Sequence, residues 1–240
     1  MIPQLRVKDV SLTIDGKPIL TNIAFDADER RVGIVGRNGS GKTTLARVIA
    51  GLIAPTSGGV YIGGANMASD RKAALTSVGI LFQNPDHQII FPTVEEEIAF
   101  GLTQLGQSKA EVAQTVDAIL ARFDRSAWQK TGIHRLSQGQ KQLVCLMSIL
   151  AMKPSVIILD EPFSGLDIPL KMRLSRYLAE IEAQVIHITH DPAALDGYDR
   201  VLWVEGGRIC RDGAAIPVLE EFTGAMVAIG ETDDLADLPD

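Results

Sequence analysis

The sequence of 240 residues predicts an α/β fold, in which a mostly parallel core sheet is joined to an antiparallel β portion and an α-helical portion. Three observations lead there. Gly36-Arg37-Asn38-Gly39-Ser40-Gly41-Lys42-Thr43 lies between a short, apolar, β-rich run at Arg31–Val35 and a helical run at residues 45–52, which makes a strand–loop–helix unit. Short apolar runs at 156–159 and 185–188 read as strands covered on both faces, the mark of a parallel sheet. Between the strand signals, residues 93–152 carry none, and Val112, Val116, Ile119, Leu120 and Phe123 recur at helical spacing.

The remaining elements follow in order. Leu5–Ile14 and residues 18–25 alternate loosely around Asp15-Gly16, a hairpin turn in which both residues tolerate positive φ. Residues 60–62 end at Gly63-Gly64, another turn, and 78–82 form a buried strand. The apolar stretch 143–152 is half the length a bilayer needs, and its polar flanks, Gln140-Lys141-Gln142 and Lys153-Pro154, suit a buried helix. Residues 201–204 and 208–211, joined by Gly206-Gly207, close as a hairpin. The expected organisation is a single domain over 1–230, with lobes at about 1–92 and 153–215 and a helical lobe at about 93–152. The acidic tail 231–240 has no basic residue and is expected to be disordered.

Composition narrows the function. A net charge of −7 offers no basic face to release phosphate counterions, so no nucleic-acid partner is expected. Cys145 and Cys210 sit far apart in core-like contexts and suggest neither disulfides nor zinc, which fits a reducing cytoplasm. Met1-Ile2-Pro3-Gln4 has no signal-peptide pattern. A soluble subunit is expected, and any membrane role must go through a partner.

The chemistry concentrates in a few segments. Residues 36–43 fit G-x-x-x-x-G-K-[ST] at every fixed position. In such a loop backbone N–H groups turn inward on phosphate oxygens, and the following helix adds partial positive charge. Gly36, Asn38, Gly39, Ser40, Gly41, Lys42, Thr43 and Thr44 are therefore the candidate ATP contacts. Lys42 would reach the β- and γ-phosphates, and Thr43 would ligate Mg²⁺. Val156-Ile157-Ile158-Leu159-Asp160-Glu161 is an apolar strand ending in two carboxylates. Asp160 would hold the Mg²⁺ shell, and Glu161 would polarise a water for attack on the γ-phosphate. Leu136-Ser137-Gln138-Gly139-Gln140 precedes an apolar helix and reads either as a capping box or as an anion site.

Together with Gln83, Ser164-Gly165-Leu166-Asp167 and His190 in Ile188-Thr189-His190-Asp191, these segments resemble the nucleotide-binding subunit of ATP-binding-cassette (ABC) transporters, in that family's order and over residues 5–215. The resemblance implies a P-loop NTPase fold of RecA-like, antiparallel β and α-helical subdomains. It also implies a head-to-tail dimer, with ATP between the phosphate loop of one subunit and Ser137, Gln138 and Gly139 of the other. Lys42, Gln83, Glu161 and His190 would then be catalytic, with Thr43, Gln83 and Asp160 around Mg²⁺. A homodimer is the expected form.

Gln83-Asn84-Pro85-Asp86-His87-Gln88 and the following 91–101 resemble the energy-coupling factor (ECF) type of importer, whose equivalent segment receives the transmembrane coupling subunit. The short C-terminal region, Leu-Ser-Gln-Gly-Gln and Asp-Glu-Pro-Phe-Ser-Gly-Leu-Asp look most like the ATPase of bacterial biotin importers. That implies a peripheral subunit on the cytoplasmic face of the inner membrane, bound to a coupling subunit and a substrate-binding subunit. Other readings are an ECF ATPase for cobalt, nickel or another vitamin, and a soluble ABC ATPase such as an iron–sulfur assembly factor. The sequence departs from the family at three places. Ile14 stands where an aromatic usually stacks on adenine, Gln138 replaces a usual glycine, and Leu143 stands where arginine is common. His87, His134 and His187 match no family role.

Overall fold

The computed structural model describes residues 5–232. Strands β1 (Leu5–Ile14) and β2 (Lys17–Ala27) form a hairpin through Asp15 and Gly16, both left-handed at φ 49° and 76°. β3 (Arg31–Val35) runs through the phosphate loop into α1 (Lys42–Ile49). Then come β4 (Ser57–Ile62), β5 (Ala65–Asn66), α2 (Arg71–Ser77) and β6 (Val78–Leu81). Three helices follow: α3 (Val94–Gln104), α4 (Lys109–Arg122) and α5 (Gln138–Ala151). The chain closes with β7 (Val156–Asp160), α6 (Ile168–Ala179), β8 (Gln184–Ile188), β9 (Arg200–Glu205), β10 (Arg208–Ala214) and α7 (Ala215–Thr232).

The strands make two sheets. β2-β1-β4-β5 is antiparallel throughout. The second sheet has the order β10-β9-β3-β8-β7-β6, parallel except for the edge strand β10. This is the mostly parallel core with an antiparallel β portion that the sequence predicted. β7 and β8 are buried at every position, so apolar side chains face both ways and no polar alternation survives in their sequence. One apolar core lies between the two sheets and α1, and a second joins α3, α4, α5 and α6 to the other face of the parallel sheet.

Register places the chemistry. Ile34 pairs with Ile188, and Asp160 pairs with the same Ile188 on the other side. The C-terminal ends of β3, β7 and β8 are therefore level, and the residues just beyond them emerge at one edge of the sheet. In open α/β sheets that edge is where ligands bind.

The structure revises several expectations. The helix expected to reach Leu52 stops at Ile49, because Gly51 turns left-handed (φ 71°) where a Cβ would lie 2.4 Å from the Met67 carbonyl oxygen. α2, α6 and α7 were not anticipated. A signal for α6 existed: Asp167 Oδ1 accepts from Leu170 N at 2.9 Å, a helix cap followed by Pro169 in the first turn. Of the tail expected to be disordered, Glu231 and Thr232 end α7, and 233–240 lie outside the described residues. Among the described residues, no helix is long and apolar enough to cross a membrane.

His187, assigned no role by its sequence context, is a core residue. It is 1% exposed, its Nδ1 lies 2.9 Å from the Tyr198 hydroxyl, and Phe163 meets its ring edge-on. Burial pulls its pKa from 6.5 down to about 4. The folded chain thus resists protonation more than the unfolded one does. The stability this represents is complete above the unfolded pKa and is lost as pH falls from 6.5 toward 4. Moving from pH 7 to pH 5 should cost about 2 kcal/mol through this group. Urea unfolding at both pH values should show that loss in the wild type and not in His187→Phe. Equal pH slopes in the two proteins would put the acid sensitivity elsewhere.

Candidate active site

A cleft of about 390 Å³ opens at the strand ends, lined by Asn38, Gly39, Ser40, Gly41, Lys42, Thr43 and Thr44 together with Gln83, Asp160, Glu161 and His190. Gly39 and Gly41 are left-handed, at φ 79° and 102°, which curls the loop backbone around the cleft. A Cβ on Gly39 would meet nothing within 4 Å, so that side faces open space, whereas one on Gly36 would strike the Val204 carbonyl oxygen at 2.1 Å. α1 begins at Lys42 with Gly41 at its cap and no side chain bonding its first turn. Those N–H groups, with the helix dipole behind them, are free for an anion. Ser40 Oγ is buried and has no partner, and such a hydroxyl is costly to leave unmatched.

Lys42 is 7% exposed, and its Nζ donates to the carbonyls of Gly36 at 2.7 Å and Arg37 at 2.8 Å. Burial lowers its pKa, while Glu161 and Asp160 pull it back up. Carbonyl dipoles compensate an ammonium only in part, so the charge stands ready for phosphate oxygens. Asp160 is 3% exposed, and Thr43 Oγ1 donates to its Oδ1 at 3.1 Å. Burial raises the Asp160 pKa, and the Thr43 bond opposes that rise. A hydroxyl and one buried carboxylate, brought together at the phosphate loop, fit a hard cation that takes its other ligands from phosphates and water. No cluster of His, Cys, Asp and Glu that could hold a metal by itself occurs among the described residues.

Glu161 sits one residue beyond β7 with φ at 50°, a conformation that costs a non-glycine residue about 1–2 kcal/mol. Hydrogen bonds from both its backbone and its carboxylate hold it there. Its N–H donates to the Ile188 carbonyl at 2.9 Å. Oε1 lies 2.7 Å from both the backbone N and Nδ1 of His190, and Oε2 accepts from Thr189 Oγ1 at 3.1 Å. A strained acidic residue fixed against a ring nitrogen, in a cleft that a buried lysine also lines, is a feature of reactive sites.

Residues 20–164 match the family model described as ABC transporter. The chain belongs to the ABC transporter family. It is 49% identical over 220 residues to the biotin transport ATP-binding protein BioM of Rhodobacter capsulatus, covering 92% of this chain and 94% of that protein. The energy-coupling factor transporter ATP-binding protein EcfA1 of Mycoplasma pneumoniae is 37% identical over 201 residues, covering 82% of this chain and 73% of that one. Among solved structures, cbiO1 from Clostridium perfringens, part of the ABC transporter complex cbiONQ, superposes with a TM-score of 0.77 at 29% identity, covering 95% of this chain and 94% of that one. The protein is thus a transport ATPase of the energy-coupling factor group.

In this ABC ATPase the other expected site residues are divided. Gln83 reaches the cleft and donates through Nε2 to Ser164 Oγ at 3.1 Å. Ser137, Gln138 and Gly139 do not line it; they form the N-terminal end of α5. Ser137 caps that helix reciprocally with Gln140, by bonds of 2.8 and 3.3 Å, so the capping-box reading holds. Gly139 has a packing reason of its own, since a Cβ there would lie 1.8 Å from Leu170 Cδ2 on α6.

Ile14, expected beside adenine, ends β1 at the hairpin tip, is 41% exposed and does not line the cleft. Ile19, on β2 across the turn, does. The sequence reading missed it because a two-residue turn brings the second strand, not the first, over the loop. Thr189 and Ser164 were also missed as partners of Glu161 and Gln83, and only their contacts reveal them.

The apolar loop after Gln83 is partly turned inward. Pro85 is buried and Ile89 packs on the helical core, while Ile90 (66% exposed) and Phe100 (39% exposed) face out. The buried Glu97 carboxylate accepts the backbone N–H groups of Ile90 and Phe91 through one oxygen, both at 3.0 Å, which fixes the loop.

Proposed function

We propose that this chain hydrolyses ATP to power uptake of biotin through membrane partner subunits. The observation that carries the hydrolytic part is Glu161, locked against His190 in the cleft that Lys42 also lines. The identity to BioM supports the substrate, and a second BioM, of Rhizobium etli, is 42% identical over 218 residues.

Gly36, Asn38, Gly39, Ser40, Gly41 and Thr44 cradle the phosphates by backbone and hydroxyl groups, and Lys42 contacts the β- and γ-phosphates. Thr43 and Asp160, with Gln83 alongside, would hold a Mg²⁺ ion, which when bound neutralises phosphate charge. Glu161 orients and polarises water in line with the γ-phosphorus, and His190 holds Glu161 and contacts the γ-phosphate. Ser137, Gln138 and Gly139 complete the site of a second, identical copy. The ATPase lies on the cytoplasmic face of the membrane. Residues 83–100 dock a transmembrane coupling subunit, which assembles with a substrate-binding subunit.

Ile90 is the anchor to test, since an isoleucine that is 66% exposed favours a desolvated contact. Ile90→Asp should leave the isolated subunit folded and abolish co-purification with the membrane subunits. ATP-driven biotin uptake into reconstituted vesicles should fall at least tenfold. Normal uptake with normal co-purification would remove this loop from the interface. Uptake of a metal ion or another vitamin in place of biotin would overturn the substrate alone.

A further inference from the structure

Three side chains on one face of α5 reach back to the loop that follows β6. Gln138 Nε2 donates to Asn84 Oδ1 at 3.1 Å, Lys141 Nζ meets Asp86 Oδ1 at 2.7 Å, and Gln142 Nε2 donates to the Phe82 carbonyl at 3.0 Å. Positions 138, 141 and 142 stand at i, i+3 and i+4, so they share a helix face. The loop is in turn ordered for this grip. Asn84 Oδ1 also accepts from Asp86 N at 3.0 Å, and Gln88 Oε1 accepts from Phe82 N at 3.2 Å. The clasp therefore spans residues 82–88 from both sides of Gln83, and leaves the Gln83 side chain free to reach Ser164.

We propose that Gln138, Lys141 and Gln142 are positioning residues that fix the partner-docking loop to the N-terminal, signature end of α5 (Ser137–Gly139), so that the two move as one body. The idea rests on the reading of residues 83–100 as the docking segment and of Ser137–Gly139 as the part offered to the second copy's ATP. A displacement of the loop by the membrane subunit then shifts the signature residues directly, without unfolding either. Gln138 gains a reason here: its amide is held by Asn84, pointing toward the loop. Lys141 is the member best suited to isolate, because its side chain is only 19% exposed while Asp86 is 52% exposed, and surface pairs of this kind contribute little to folding stability.

The test uses Asp86→Lys, Lys141→Asp and the double exchange of both, each as the detached subunit and in the complex with its membrane subunits. The detached subunits should hydrolyse ATP within about twofold of wild type. In the complex each single variant should lose at least tenfold of the stimulated rate and of uptake, and the double exchange should recover most of both. Rescue distinguishes the clasp from a direct contact of Asp86 with the membrane partner, which the exchange would not restore. Single variants with wild-type stimulation, or a double exchange no better than the singles, would overturn the clasp. A wild-type complex no faster than the wild-type detached subunit would overturn the docking reading itself, and the clasp with it.

Discussion

Glu161→Gln should reduce steady-state phosphate release by about 10²–10⁴ while ATP binding is retained. The substitution keeps the shape of the side chain and removes the charge that polarises water. The substitution leaves the phosphate loop, Gly36 to Thr43, untouched. ATP should therefore accumulate unhydrolysed, and light scattering should report a dimer that persists with ATP. The amide oxygen can still accept from His190 N, the amide nitrogen can donate to Thr189 Oγ1, and the backbone bond to Ile188 is kept, so the strained residue should hold its place. Phosphate release within threefold of wild type would remove Glu161 from the chemical step, and His190 would become the group to examine.

Lys42→Ala acts earlier in the cycle. In the proposed mechanism the ammonium contacts phosphate in the ground state, so both affinity and turnover should fall. Hydrogen bonds to charged groups contribute about 1.5–3 kcal/mol each, so calorimetry should find MgATP bound roughly 10- to 100-fold more weakly. A second effect follows from the position of Lys42: Gly36 and Arg37 lose the donor that their carbonyls share, and the loop should loosen. Lys42→Arg should not rescue either effect, because a planar fork does not fit the slot of a compact ammonium that is 7% exposed. MgATP affinity within twofold of wild type in Lys42→Ala would rule out the assigned phosphate contact.

The phosphate loop, Asp160 and Glu161 could be read in the sequence because each requirement is local, whereas Gln83 and His190 came only from the resemblance to the ABC family. A glycine must turn left-handed within the loop, a lysine must open the helix, and carboxylates must end a strand. The parallel core could be read for the same reason, since strands covered on both faces lose the alternation of a half-exposed sheet. Helix α7 was not read, because its apolar positions Val218 and Phe222 make sense only against β9 and the turn at Leu195.

Other features belong to the tertiary structure alone. Which hydrophobic residue lines the cleft, Ile19 rather than Ile14, depends on how a hairpin crosses the loop, whereas the sequence reading named Ile14 by its family position alone. That His187 is a neutral core histidine and His190 a site residue, three positions apart, depends on burial beneath Phe163 and Tyr198 in one case and on emergence past the strand end in the other. The clasp between α5 and residues 82–88 joins segments more than fifty positions apart. Local propensity and spacing determined which chemical groups this chain carries. Only long-range packing, which sets burial and distance between remote segments, decided which of them meet.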